Sequence, residues 1–406
     1  MIARCLLALL WLLLPLAAQA ENHINQPNIK TLVTMVNQNW LNAPVMRLHS
    51  DDVLTVEFDE LSHDYHRYVY RLEHCEADWT PSEELFESDW LSGFNGNPIE
   101  DYAHSINTIV PYTHYQLQLP NDRCQLLMSG NYRLYILDED DDNREVLVTE
   151  FMVTEQSMRL SLSSTPNTDI DTRVSHQQVT MALDYGSLPV TNPDTQIYAV
   201  VMQNHQQRNM RQGIKPNITT RNGLEWSHNR ELIFDAGNEY RKFEVLDVSH
   251  PTMGIDHITW DGENYQAYTF VDAPRPNYLY DEDANGAFCI RNSDYHEVST
   301  TGQYVWVNYH LRVPRQGPIY ISGRWTTATG ADDYMLYYDP VNELYTASIL
   351  QKQGYYNYQY TTADGQQLAS EGNYYQTENQ YQALVYYKGT TDRTWRLSAF
   401  CDTGRE

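Results

Sequence analysis

The stretch "GFNGNPIEDYAHSINTIVPYTHYQLQLPND", Gly93 to Asp122, brings Asp101, His104, Ser105 and His114 close together in sequence. Asp, His and Ser are the orienter, base and nucleophile of acyl-transfer triads. The spacing argues against that use here, because positions 104 and 105 of a strand point to opposite faces. A triad is defined in space, so a hydrolase assembled from scattered residues stays as a rival reading. The chain carries no G-x-S-x-G, H-E-x-x-H, P-loop or Rossmann fingerprint. The plainer reading is architecture. Gly93 and Gly96 allow a tight path, and Asn95, Asp101 and Asn107 satisfy backbone donors. Tyr102, Tyr112 and Tyr115 then pack the loop on a sheet with their hydroxyls bonded.

Three other groups have ligand-like chemistry. In "DEDANGAFCIRN", Asp281, Asp283, Asn285 and Gly286 match positions one, three, five and six of an EF-hand loop. Position twelve needs a bidentate Glu and is Asn292, and the flanks read as strands. Asn285-Gly286 is also a hairpin signal, because both residues tolerate positive φ. A structural turn is favoured over a calcium site, and no cofactor is expected. Trp325 stands where a sugar-binding module presents a stacking aromatic, although core or interface packing is the commoner fate of a single Trp. In "FDAGNEYRKFEVLDVS", Glu239 and Arg241 lie two apart on one strand face after a Gly237-Asn238 turn, where ion pairs would orient that turn.

The elements that must hold these groups are strands. Short alternating runs such as "VLTVEF", "NYRLYIL", "QVTMAL", "YVWVNYHLRV" and "YQALVYY" recur, separated by polar turn clusters. That is the pattern of antiparallel sandwiches. The 32 tyrosines suit half-buried strands with a wet edge. Three tandem β-sandwich domains, immunoglobulin- or fibronectin-like and then early-set-like, are expected over residues 21–156, 157–276 and 277–406. Pro274 and Pro276 in "VDAPRPN" mark a linker between the last two. "DEDDDN", Asp138 to Asn143, reads as a solvated hairpin tip. The segment from Gly317 to Gly365 resembles the early-set sandwich of glycogen-binding modules, which makes a carbohydrate-binding protein the leading rival function.

Residues 1–20 read as a secretory signal. Arg4 precedes the apolar "CLLALLWLLLPLA", and "AQA" fits the small-residue cleavage rule, so the mature chain is expected to begin at Glu21. No later segment approaches the roughly 20 apolar residues of a membrane span. Formal charge is −27, and loss of Arg4 makes the mature chain one unit more negative. Nucleic acid and anionic lipid are therefore disfavoured as partners. Cys75, Cys124, Cys289 and Cys401 remain in an oxidising compartment. Cys75–Cys124 is the expected bridge, with Cys289–Cys401 the matching pair. Loops of those lengths give ~4 to 5 kcal/mol by chain entropy. Buried free thiols are the alternative.

Taken in order, "GFNGNPIEDYAHSINTIVPYTHYQLQLPND", "SGNYRLYI", "SHQQV", "QNHQQRNM", "GNEYRKFEV", "DANGAFCI", "QGYYNYQY" and "EGNYYQTENQYQALVYY" resemble the plug proteins of the type IX secretion translocon. The family more often has Phe where Tyr240 stands. The resemblance implies a non-enzymatic periplasmic protein that gates an outer-membrane β-barrel translocon by closing its periplasmic mouth. It implies no small-molecule substrate and no insertion into the membrane. Phe94, Asn95, Asp101, Tyr102, Arg241 and Trp325 are the interface candidates.

Overall fold

The computed structural model describes residues 22–294, 297–326 and 331–403. The expected signal segment and the cleavage site before Glu21 lie outside the described residues. The fold is all-β, with helices of a single turn. Sequence alternation becomes alternation of burial. In Gly130–Asp138, Tyr132, Leu134 and Ile136 are buried, whereas Arg133 and Tyr135 are half-buried on the other face. The acidic Asp138 to Asn143 run is the turn from this strand into Arg144–Thr154, and most of it is exposed.

The first section is a sandwich. One sheet contains His23–Ile24, Arg144–Thr154, Gly130–Asp138, Tyr68–Cys75 and Asn97–Pro98, and the other contains Ile29–Val36, Leu54–Glu60, Thr113–Leu119 and Asp101–His104. Residues of both sheets share one core. Within it Phe58 stacks on Tyr115 with ring centroids 5.2 Å apart.

The two expected boundaries meet different fates. Position 156 falls between Arg144–Thr154 and Arg159–Thr165, which lie in different sheets. Position 276 does not separate sheets, and the tandem order of the last two sections is corrected. Arg241–Val245, Ile255–Trp260 and Tyr265–Thr269 all precede it, yet they share a nine-stranded sheet with Tyr304–Leu311, Leu344–Lys352 and Gly354–Thr361. Conversely, Tyr381–Tyr387 and Arg396–Asp402 leave that sheet. Tyr381–Tyr387 pairs with Ile197–Gln203 along its whole length. Val201, Trp226, Tyr381 and Ala399 accordingly meet in one core. The second section is thus built from two separated pieces of chain, with the third inserted between them. Periodicity reveals strands but not their partners. Nor is "VDAPRPN" a free linker: the Arg275 guanidinium donates to the Glu239 carbonyl at 2.6 Å and lies 2.6 Å from the Glu371 carboxylate.

Candidate functional site

Asp101, His104 and Ser105 are not assembled for catalysis. His104 Nδ1 bonds Thr113 Oγ1 at 3.1 Å, and Ser105 Oγ accepts from Tyr112 N and Thr108 Oγ1. Asp101 is bonded to neither. The segment that follows is instead a clasp onto the third section. Ile106 N donates to Thr300 O at 2.8 Å and Ile109 N to Gln303 Oε1 at 2.9 Å. Gln303 Nε2 donates back to Asn107 O, and the Tyr112 hydroxyl donates to Gly302 O at 3.1 Å.

Beneath the clasp lies a buried charge joint. Lys352 Nζ is 2.6 Å from Asp59 Oδ2 and donates to Ser299 O at 2.7 Å, with both charged side chains 1% exposed. It also sits 4.1 Å from the centre of the Tyr112 ring, so each face of the ammonium has a partner. Asp59 Oδ2 further accepts from the Tyr304 hydroxyl at 2.8 Å. With that hydrogen committed, the 2.6 Å contact from Thr31 Oγ1 to Tyr304 makes Thr31 the donor. Asp59 Oδ1 lies 2.8 Å from His114 Nδ1, which must carry its hydrogen because a carboxylate only accepts. Burial alone would raise the Asp59 carboxyl. The Lys352 charge and the His114 bond outweigh it and hold the group below the ordinary carboxylate range.

Two interface candidates belong to the interior, which corrects their assignment. Arg241 is a buried ion-pair centre. Its guanidinium donates to Asp272 at 2.7 Å and to both Glu371 oxygens at 3.1 Å. Tyr358 and Tyr360 cap Asp272, and Glu371 also accepts from Tyr360 N. Glu239, its neighbour in sequence, accepts instead from the Tyr278 hydroxyl. Trp325 is 9% exposed, packs with Tyr309, Tyr334 and Tyr356, and donates Nε1 to Asn357 O at 2.8 Å. A ring so enclosed has no face for a sugar, so Trp325 does not serve as a stacking platform.

Around Asn285 the chain makes a tight turn. Asn285 and Gly286 have φ of 49° and 83°, and Ala287 N donates to Ala284 O at 3.0 Å. Asp281 is paired with Lys242, and Asp283 accepts from Tyr240 N and Asn285 N. Burial pushes the Asp283 carboxyl up to about 7. The EF-hand-like carboxylates therefore serve the protein itself. Among the described residues no group of three His, Cys, Asp or Glu is arranged to hold a metal.

The expected disulfides are not formed, and all four cysteines are free. Cys75 points into a cluster with Met152, Met202 and Leu384, whereas Cys124 lies in the first sandwich core. The two thiols thus face different interiors. Burial pushes each up to about 12, which keeps them as inert thiols. Cys289 opposes Tyr355 and Cys401 opposes Ala383, in separate sheets.

The remaining candidates are at the surface of the first section. Phe94 is 76% exposed and Tyr102 41% exposed, with the Tyr102 ring 4.5 Å from that of Tyr65. Asp101 is exposed on the edge strand Asp101–His104. Asn95 is the loop's fastener: Oδ1 accepts from Leu72 N at 2.8 Å, and Nδ2 donates to Leu72 O and to Glu87 Oε2. Gly93 has φ of 113°, and a Cβ there would meet Arg123 O at 1.9 Å. Gly93→Ala is therefore expected to lower stability by about 1–3 kcal/mol and to loosen the Phe94 loop. Urea unfolding checks the first effect and loop proteolysis the second; unchanged values in both would contradict the strain argument.

The whole-chain architecture has a solved counterpart. The crystal structure of a hypothetical protein from Parabacteroides merdae is similar with a TM-score of 0.90 and 34% identity, over 94% of this chain and 98% of that one. Residues 29–155, the section with the clasp and the Phe94 loop, match the model of the type 9 secretion system plug protein 1st domain. The chain belongs to the type 9 secretion system plug protein family. A search of curated proteins returns no match. Plug-family membership gives the chain a role in type IX secretion, within a family of non-enzymatic secretion components, and an envelope location. Among its described residues no helix is long and apolar enough to cross a membrane.

Sequence reasoning missed the clasp and the Asp59–Lys352 joint. Lys352 gave no local signal, because in "YTASILQKQGYYNYQY" it stands between Gln351 and Gln353 and reads as an ordinary solvated strand charge.

Proposed function

We propose that this protein is the stopper of the type IX translocon, binding the periplasmic mouth of its outer-membrane barrel and closing it while no cargo passes. The plug-family match over residues 29–155 carries this reading. Its construction supports it. A stopper must keep its shape under load, and here three sections are tied by buried polar joints. The first meets the third through Asp59–Lys352, and the second through Glu76, which accepts from Thr394 Oγ1 and Trp395 N. The Tyr386 hydroxyl adds a bond to Asn131 at 2.7 Å. Binding must be reversible, since a permanent seal would stop export, so an interface of roughly 1,200 to 2,000 Å² is expected.

Deleting the gene tests the reading. The barrel should still assemble, but the outer membrane should become permeable to large hydrophilic antibiotics, with export impaired less than by loss of the barrel. Unchanged permeability, together with a barrel that purifies without this protein under gentle conditions, would end it.

A further inference from the structure

Two of the chain's nine phenylalanines, Phe86 and Phe94, stand about three-quarters exposed on one end of the first section. Water contact with such rings is unfavourable, by roughly 25 cal/mol per Å² of apolar surface. The fold nevertheless holds both in place. Phe86 N donates to Asp89 Oδ2 at 2.9 Å, and Asp89 N donates back to Phe86 O at 2.9 Å. Arg393 then locks Asp89 at 2.7 Å. Phe94 N donates to Arg123 O, and Asn97 Nδ2 donates to Phe94 O. The bond from Asn95 Nδ2 to Glu87 Oε2, at 2.8 Å, joins the two segments through the residues next to each ring. Leu127, also exposed, is tied to the same knob by its N–H to Trp90 O at 2.9 Å. The rings are therefore presented on fixed backbone, which is what lowers the ordering cost of an anchor.

Charge selects what the knob can meet. No Lys or Arg stands between Arg71 and Arg123, whereas ten Asp and Glu do. Glu83, Glu84, Glu87 and Glu100 are exposed around the rings, with Arg123 and Arg393 already paired to Glu100 and Asp89. An anionic lipid surface is repelled by that field, and a second copy of this acidic chain repels it equally. A protein face with an apolar pocket rimmed by Lys and Arg is attracted.

We propose that the Phe86–Phe94 knob is the anchor by which this protein docks, inserting both rings into an apolar pocket rimmed by basic side chains on the translocon. The inference rests on the stopper reading and adds which end of the molecule leads and what chemistry receives it. Aromatic anchors at the centre of an interface carry most of its energy, while the charged rim governs approach.

The test uses the full-length protein and detergent-solubilised translocon purified from a strain lacking it, immobilised through the barrel. Phe86→Ser/Phe94→Ser should weaken binding by at least about 30-fold. Glu83→Lys/Glu84→Lys should slow association by about tenfold at low salt and flatten its salt dependence. Tyr337→Ser/Val341→Ser, which removes exposed apolar side chains of the third section, should bind as wild type. Melting temperatures confirm that each variant folds. If wild type binds and the Phe variant binds equally, the knob assignment is wrong and the stopper reading stands. If wild type fails to bind the translocon, both fall. Binding of wild type to phosphatidylglycerol vesicles, lost in the Phe variant, would replace the protein partner with lipid.

Discussion

Lys352→Met is expected to destabilise the protein by about 3–5 kcal/mol, the usual cost of leaving one member of a buried ion pair without its partner. The residual charge would be Asp59, 1% exposed and held only by Tyr304, His114 and a neutral clasp. Because the joint spans two sections, the damage should be uneven. The third section should loosen from the first before either core opens, seen as early proteolysis between residues 297 and 303. The Asp59→Asn/Lys352→Met double variant removes both charges, and its amide still accepts from Tyr304, so it should recover more than half of the loss. A urea midpoint for Lys352→Met within error of wild type would refute the joint.

Glu371→Gln comes next in expected size. Glu371 is fully buried between Arg241 and Arg275 and accepts from the Tyr360 backbone. Neutralising it leaves Arg241 with Asp272 as its paired carboxylate and Arg275 with the Glu239 carbonyl, at a cost of about 3–5 kcal/mol. Arg241 joins residues that lie 31 and 130 positions away in sequence, so the variant should open the inserted third section where its chain enters and leaves. Thermal unfolding should then split into two transitions, and a single transition at the wild-type temperature would contradict this. The same two carboxylates set the acid limit. Burial would raise both, but Lys352 with His114 and Arg241 with Arg275 hold Asp59 and Glu371 below the ordinary range. Groups depressed in the folded state contribute fully above their unfolded values and lose that contribution as pH falls through the folded ones. Stability should therefore persist through mildly acidic pH and fall steeply only below the carboxylate range.

The class of fold was legible because alternation is a local property. Val179, Met181 and Leu183 announce one buried face in "QVTMAL", and the structure buries them. The turn at Asn285-Gly286 was legible for the same reason: its φ values depend on two residues. What stayed hidden depends on partners far along the chain. Asp59 and Lys352 are 293 positions apart, and nothing local distinguishes Lys352 from a solvated strand residue. Arg241 was readable as an ion-pair former, but not its acids, which lie in other segments. For Trp325 core packing was the commoner expectation, but which sheets close over its two faces was not readable from the sequence. "GYYNYQYT" shows the limit clearly, since all eight residues are buried and no periodicity remains to read. At the knob, Phe94 was legible from its glycine-rich loop, whereas Phe86 was not, because it precedes a single helical turn inside an unremarkable acidic run.

The interleaved second section bears on the order in which the chain can fold. Ile197–Gln203 needs Tyr381–Tyr387 beside it, and that strand arrives almost two hundred residues later. A chain emerging from its amino end can complete the first sandwich early, from contacts within residues 22–154. The middle section must then wait, with Val200 and Val201 uncovered, while the inserted sheet forms as a closed loop. Only the last strands cover them. Long-range pairing of this kind is slow and leaves apolar edges open to misassociation. The molecule is thus tied off last at its far end, and premature termination between residues 203 and 361 would leave two sections unfinished rather than one.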